Sequence, residues 1–302
     1  MENTDSNINP NDRIIATILL IATTILWGTS FIITKTLTQD VPVFLYLGLR
    51  FLIGALGFAP FLIYYKKFNI KLLQLGVITG IINFLSMAFQ TYGLQTISAG
   101  RAAFITGLGT IFVPFIVWLG YKQKLKIKNW IAAILSIIGM GFLFLEGLGG
   151  LFLGDILVLT CAIMYALFIV LNDKYLQLVD IYIYSFVQLL ITSLLSFIGS
   201  FITNETFNIA SIDGGFWFSL IYLGIFVTTL TFIFISWGQK QNKDPVQTAI
   251  IFNLEPVFAV LFAFLIGNEI LNLLEIIGCS IIFLATFIAV YEKNRKNNLA
   301  NN

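Results

Sequence analysis

Apolar runs long enough to cross a membrane follow one another along almost the whole sequence. The run from Thr248 to Leu271 is the most informative, because it contains a Glu-Pro pair, Glu255 and Pro256. A carboxylate in the middle of a bilayer costs about 3 kcal/mol or more and is rarely kept there without a partner or a function. The proline removes a backbone donor and favours a kink at the same depth. The sequence therefore predicts a kinked helix that carries a functional carboxylate.

The composition excludes a soluble globular chain. Of 302 residues, 58% are hydrophobic and only 11% are charged, whereas soluble domains carry about 25% charged residues. The apolar runs approach the ~20 residues of a transmembrane helix and do not alternate as barrel strands do. We predict an all-α integral membrane protein with ten transmembrane helices, at 14–35, 42–64, 72–92, 101–121, 128–146, 152–172, 181–202, 215–237, 245–267 and 272–291.

The residue types that are missing exclude several kinds of chemistry. The chain has no histidine, which removes His-dependent catalysis and histidine metal sites. We interpret Cys161 and Cys279 as small core residues within spans. No basic patch with interleaved aromatic residues indicates nucleic-acid binding. We expect no metal, no cofactor and no nucleic-acid partner.

Basic residues fall mainly in every second loop, which predicts the orientation of the chain. With the N-terminus inside, the inner segments hold Arg13, Lys66, Lys67, Lys71, Lys122, Lys124, Lys126, Lys128, Lys174, Lys240, Lys243, Lys293, Arg295 and Lys296. Basic residues are retained on the cytoplasmic side of membrane proteins. We therefore predict that both termini are cytoplasmic.

The two halves of the chain repeat one pattern. Ala103 and Leu108 recur as Ala249 and Leu254, 146 positions later, and upstream Trp27, Tyr46 and Arg50 fall opposite Tyr165, Tyr184 and Gln188, 138 positions later. Five spans per copy is an odd number, so the copies would enter the membrane from opposite sides. We predict a disordered tail (1–13), a first copy (14–146), a second copy (152–291) and a basic tail (292–302), with the polar chemistry mainly in the second copy.

The chain resembles the EamA-type permeases of the drug/metabolite transporter superfamily, in their ten-helix bacterial form. The resemblance covers roughly residues 14 to 291 and rests on Trp27-Gly-Thr-Ser-Phe31, Leu49-Arg50-Phe51, Ser98 to Ile105, Gly154-Asp155, Glu255-Pro256 and Gly267-Asn268-Glu269. It implies two inverted repeats and transport of a small molecule. The glutamate that often follows span four in the family is replaced here by Gln123 and Lys124, so we assign no function to that position.

Arg50 and Glu255 are the formal charges nearest to mid-span, and we predict that both face a central cavity. The alternative is a buried pair that only locks helix packing. Further candidates for a mostly apolar cavity with a few polar groups are Trp27, Gln90, Tyr92, Thr106, Tyr165, Gln188, Trp237 and Asn253. Pro256 and Pro114 are the predicted helix kinks.

These features predict a secondary transporter that is not an enzyme. The expected activity is export of small metabolites, amino acids or drug-like compounds by alternating access, without an ATP site. The alternatives are an intramembrane enzyme such as an aspartyl protease, for which Asp155 lacks a second aspartate, and a passive channel. The expected partners are a small-molecule substrate and the lipid bilayer, in the cytoplasmic membrane of a bacterium. The sequence leaves open the substrate, the coupling ion, and whether the chain is a monomer or a homodimer.

Overall fold

A computed structural model describes residues 10–64, 69–122, 127–144, 152–206, 214–267 and 273–291, and all regular structure within these ranges is helical. The first half contains α1 (Pro10–Gly28), α2 (Ser30–Asp40), α3 (Val43–Leu56), α4 (Ala59–Tyr64), α5 (Ile70–Leu94), α6 (Ala99–Gly107), α7 (Gly109–Tyr121) and α8 (Ile127–Phe144). The second contains α9 (Leu153–Leu176), α10 (Ile181–Ile202), α11 (Gly214–Gly224), a π-helical segment (Ile225–Leu230), α12 (Thr231–Asn242), α13 (Pro245–Phe252), α14 (Leu254–Gly267) and α15 (Leu273–Val290). The predicted terminal tails up to residue 9 and from residue 292, and Gln123, Lys124, Asn268 and Glu269, lie outside the described residues. Residues 10–13, which were predicted to belong to the disordered tail, instead form the start of α1.

Every predicted span coincides with one helix or with a helix that is broken once or twice. Within the described ranges, eight helical stretches are long and apolar enough to cross a membrane, and the shorter Val43–Leu56 and Ile127–Phe142 are also apolar. Large apolar side chains cover the outside of the bundle, among them Ile18, Ile78, Ile134, Leu194 and Phe287. An apolar surface of this extent is unsuited to water. The molecule is a multi-pass membrane protein.

The repeat that the sequence shows recurs in the positions where helices begin and end. Helices α3 and α10 begin 138 residues apart, while α8 and α15 match at both ends at a spacing of 146. The side chains of Ser98 and Asp244, also 146 apart, accept backbone N–H bonds at the starts of α6 and α13. The packing repeats as well: α5 lies on α9 as α12 lies on α1, and α7 lies on α9 as α14 lies on α1. The matched helices α3 and α10 pack together, as do α8 and α15.

Polar contacts distinguish the two ends of the bundle. At one, which we name the Glu205 end, the Glu205 carboxylate accepts hydrogen bonds from the backbone N–H of Leu45 (2.9 Å) and the hydroxyl of Tyr92 (3.4 Å). At the other, the Lys240 end, the ammonium group of Lys240 donates to the carbonyl of Val179 at 3.2 Å. Helix α10 begins just after Val179 and ends just before Glu205, so these two groups of contacts lie at opposite ends of the bundle.

Besides the span that divides into α3 and α4, three spans break at a single residue, and one span contains a π-helical segment. The breaks fall at Thr29, Leu108 and Asn253, and the two latter positions are almost repeat-matched. Pro256 lies in the first turn of α14, directly after the third break, where the missing N–H costs little. Pro114 lies inside α7, which continues past it, and the break in that span comes six residues earlier.

Candidate functional site

A cavity lies where the broken helices meet, between the two halves of the chain. Its lining comes from α1, α2, α3, α5, α6, α9, the π-helical segment, α12 and α14. The lining residues are Trp27, Ser30, Phe31, Thr34, Arg50, Phe51, Asn83, Met87, Gln90, Leu94, Thr106, Tyr165, Phe168, Val227, Thr228, Phe232, Ile235 and Glu255. The empty space among them is about 700 Å³, including the part open to solvent. An apolar cavity with a few convergent polar groups is the usual form of a small-molecule site.

Arg50 is held rigidly at the wall of this cavity. It is buried, and its Nε donates to the hydroxyl of Thr228 at 3.2 Å while Nη1 donates to the hydroxyl of Tyr46, also at 3.2 Å. The Tyr46 hydroxyl also shares a 2.8 Å hydrogen bond with Thr34. The guanidinium lies 5.6 Å from the centre of the Phe51 ring. The neutral hydroxyls orient the guanidinium without neutralising it, so its positive charge remains available to the cavity.

Glu255 places a carboxyl group in the same cavity. It lies in the first turn of α14, immediately after the break at Asn253, where the positive end of the helix dipole favours a carboxylate. Among the described residues, no ion pair within 4.0 Å joins Glu255 to Arg50. The two side chains therefore line one cavity separately, without a direct ion pair between them in this conformation.

Aromatic rings close the cavity toward the Lys240 end. The repeat-matched Trp27 and Tyr165 meet edge to face with ring centres 6.0 Å apart, and Trp27 also packs on Phe252 at 5.0 Å. Both Trp27 and Tyr165 rest on a buried cluster that continues to Val246 at the start of α13. In this conformation the polar part of the cavity therefore extends toward Thr34, on the side of the Glu205 end.

A second, smaller cavity lies beside the break at Asn253 and shares Thr106, Tyr165 and Glu255 with the larger one. Thr110 donates a 2.7 Å hydrogen bond to the side-chain oxygen of Asn253. The amide nitrogen of Asn253 and the hydroxyl of Tyr165 are buried with no partner within 3.5 Å among the described residues. This space is large enough for about one water molecule, which would satisfy these groups.

Three predicted cavity residues lie elsewhere. Tyr92 packs on Phe44 and donates to Glu205 at the Glu205 end. Trp237 packs against the buried cluster that includes Tyr184. Gln188 belongs to a closed group of amide side chains near the Lys240 end. The other predicted residues, Arg50, Glu255, Trp27, Gln90, Thr106, Tyr165 and Asn253, line one or both cavities.

The first half contributes most of the polar lining, and the expectation that the second copy would carry it is wrong. Sequence reasoning missed Ser30, Thr34, Asn83 and Thr228. A usable signal was present for two of them, because Ser30 and Thr34 follow Trp27 at +3 and +7 and so share its helix face. Thr228 gave no such signal, because it lies in the π-helical segment, where the helical period changes.

Two observations concern metal binding and the aspartyl-protease alternative. In the described part of the chain, no group of three or more His, Cys, Asp or Glu side chains could hold a metal ion. Asp155, the residue an aspartyl protease would need, is bound through both oxygens by Arg101, at 2.6 and 2.8 Å.

A model of the EamA-like transporter family matches residues 14–145 and again 152–291. The chain belongs to the EamA-like transporter family. An uncharacterised transporter of Archaeoglobus fulgidus is 31% identical over 276 residues, covering 91% of this chain and 86% of the relative. The uncharacterised transporter YoaV of Bacillus subtilis is 25% identical over 287 residues, covering 92% and 97%. A solved crystal structure has the same fold, with a TM-score of 0.74 at 19% identity, covering 91% of this chain and 97% of the other.

Proposed function

We propose that this family member is a secondary transporter for small zwitterionic or amphipathic molecules such as amino acids, and that it acts as an exporter. The observation that carries the proposal is that Arg50 and Glu255 line one cavity without pairing. An arginine fork suits a carboxylate, and a glutamate suits an ammonium group. The rings of Trp27 and Tyr165 suit an apolar side chain between them.

The proposed mechanism is alternating access by the two copies as inverted repeats, across ten spans. It is supported by the helix bounds, which repeat in the two copies, and by the matching contacts of α5 with α9 and of α12 with α1. Broken helices around a midplane site are common in secondary transporters, where one copy rocks against the other. Because the chain shows no phosphate-binding glycine loop, we infer that an ion gradient or the substrate's own gradient drives transport.

We propose that the Lys240 end, with both termini, faces the cytoplasm of a bacterial cell. Lys174, Lys240 and Lys243 lie at or near this end, in or beside the last turns of α9 and α12, and basic residues are retained on the cytoplasmic side. In this orientation the cavity of the described conformation extends toward the outside. A carrier that releases its substrate outward must adopt such a conformation during its cycle.

The test is counterflow into proteoliposomes with a mixed pool of amino acids, their analogues and cationic dyes, read out by mass spectrometry. We expect saturable uptake of one chemical class, weakened by Glu255→Gln and by Arg50→Ala, while Arg50→Lys keeps the charge but loses the forked contacts. Asp180→Asn is the matched control, because it removes a carboxylate outside the cavity and asparagine caps a helix as well as aspartate does.

Two outcomes would contradict this proposal. Undiminished uptake in both charge variants would show that Arg50 and Glu255 only support packing. Flux that rises without saturation would indicate a channel rather than a carrier.

A further inference from the structure

Three amide side chains and one threonine hydroxyl form a buried, hydrogen-bonded group near the Lys240 end. The side-chain nitrogen of Gln188 donates to Asn172 (2.9 Å) and Thr79 (2.8 Å), and Asn172 in turn donates to Gln239 at 2.6 Å. All four side chains are at most 1% exposed. We call Thr79, Asn172, Gln188 and Gln239 the amide cluster. It lies on α5, α9, α10 and α12, four helices that also carry residues of the cavity or pack beside it.

The amide cluster is the repeat counterpart of the polar wall of the cavity. Gln188 stands 138 residues after Arg50, and Asn172 stands 138 residues after Thr34, the spacing that also separates the starts of α3 and α10. Arg50 and Thr34 are joined through Tyr46 and line the open cavity. Their counterparts in the second half, Gln188 and Asn172, are hydrogen-bonded to each other.

The hydrogen bonds of this closed group are incomplete. The side-chain oxygen of Gln188 is buried with no hydrogen-bond partner among the described residues. A buried polar group without a partner costs free energy, and native proteins rarely keep one without a reason. Packing alone would be better served by apolar side chains, so the cluster carries more hydrogen-bonding capacity than the closed conformation uses.

We propose that the amide cluster is the polar lining of a second, cytoplasm-facing cavity, closed in this conformation and open in the alternate one. In that conformation Gln188, Asn172 and Gln239 bind water and the polar groups of the substrate, as Arg50 and Thr34 do on the opposite side. This inference rests on the proposed transport function. It adds that the inward-facing site is neutral and amide-lined, so it recognises its substrate by hydrogen bonds and without a formal charge of its own.

The experiment is labelling of single cysteines with a membrane-impermeant methanethiosulfonate reagent, in a Cys161→Ala, Cys279→Ala background. The probe position is Asn172→Cys, and its repeat-matched comparison is Thr34→Cys. Ala132→Cys is the buried control, because Ala132 is 0% exposed and packs in the cluster that includes Val246, toward the Lys240 end. Inside-out and right-side-out vesicles give access to the two faces separately.

We expect Asn172→Cys to react from the cytoplasmic face and Thr34→Cys from the outer face. If the open conformation is populated at roughly 0.1–10%, a thiol exposed only in that conformation reacts about 10- to 1,000-fold more slowly than a freely exposed thiol. We expect this rate to exceed the labelling rate of the Ala132→Cys control. The substrate pool that supports counterflow should change the two labelling rates in opposite directions. Gln239→Cys is the second probe, should Asn172→Cys fail to fold.

Labelling of both amide-cluster probes no faster than Ala132→Cys, or only from the outer face, would overturn the inference. If Thr34→Cys then still reacts and counterflow still saturates, the proposed transport function stands and only the inward-facing cavity is wrong. If counterflow is also absent, the proposed function itself fails.

Discussion

Replacing Asp155 by asparagine should strongly destabilise the protein, because this carboxylate forms a nearly buried ion pair with Arg101. Its two oxygens accept from Arg101 Nε at 2.6 Å and from Nη2 at 2.8 Å, and one of them also accepts the backbone N–H of Phe152 at 2.7 Å. The two side chains are only 12% and 7% exposed. Asparagine can retain one or two of these bonds, but it removes the negative charge that faces the guanidinium in this pair.

Breaking a buried pair from one side costs about 3–5 kcal/mol. Because this pair lies at the end of two helices and keeps some contact with solvent, we take the lower limit of about 3 kcal/mol, roughly two powers of ten in the folding equilibrium. The assay is reversible unfolding in mixed micelles, followed by tryptophan fluorescence. We expect a lower midpoint with an unchanged slope, since the surface exposed on unfolding stays the same.

Two comparisons test the physical reason for this effect. Asp180→Asn removes a carboxylate that only caps α10, so it should leave stability nearly unchanged. A double-mutant cycle with Arg101→Ala and Asp155→Ala isolates the pair from the contact of Arg101 with the Phe152 ring. A coupling energy near zero, or an Asp155→Asn midpoint equal to that of Asp180→Asn, would refute the argument.

Two further substitutions test the packing and the cavity. Gly54→Ala places a methyl group 2.7 Å from the methyl of Thr228 and should lower the free energy of unfolding by about 1–3 kcal/mol. Gly141→Ala, where no described atom lies within 4 Å of the added methyl group, should leave the free energy of unfolding unchanged or raise it. Equal unfolding midpoints for the two variants would contradict the close approach at Gly54. Tyr165→Phe removes a hydroxyl that has no hydrogen-bond partner among the described residues, and should leave stability nearly unchanged while raising the KM of counterflow a few-fold. Tyr46→Phe removes a hydroxyl that bonds to both Thr34 and Arg50, and should lower the free energy of unfolding by about 1–3 kcal/mol. A Tyr165→Phe variant less stable than the Tyr46→Phe variant would contradict the hydrogen-bond assignment.

The helices could be predicted closely because each apolar run has membrane length and the connections are short. The predicted span 181–202 has the bounds of α10, and the predicted start and end of every other span fall within a few residues of a helix bound. The internal breaks could not be predicted in the same way. Thr29 and Leu108 are ordinary residues for a helix interior, and the glycines beside them, Gly28, Gly107 and Gly109, weaken a helix without determining whether it breaks. The break at Asn253 had a stronger local signal, in the following Pro256.

The site could be predicted only where a residue is unusual for a membrane span. Arg50 and Glu255 are charged, and Trp27 and Tyr165 are repeat-matched aromatics, so composition and spacing identified them. Hydroxyl side chains such as Thr228 are common in spans and give no such signal. Gln188 was predicted as the repeat counterpart of Arg50, but it lies in the closed amide cluster. A sequence repeat predicts which residues are equivalent, and it does not predict beside which copy the cavity is open.

The two charges of the cavity have no charged counterpart in the other copy, and this limits how alike the two access states can be. The counterpart of Arg50 is Gln188, and that of Glu255 is Gly109, 146 residues earlier. A side chain at Gly109 would place its Cβ 3.1 Å from the carbonyl oxygen of Ala162, so the packing of α7 on α9 is tight at this position. If the two halves exchange conformations, the cavity that opens on the other side therefore has no arginine or glutamate at the matching positions. If transport proceeds as proposed, a substrate carboxylate meets the guanidinium only on the Glu205 side, and its affinity must differ between the two faces of the membrane.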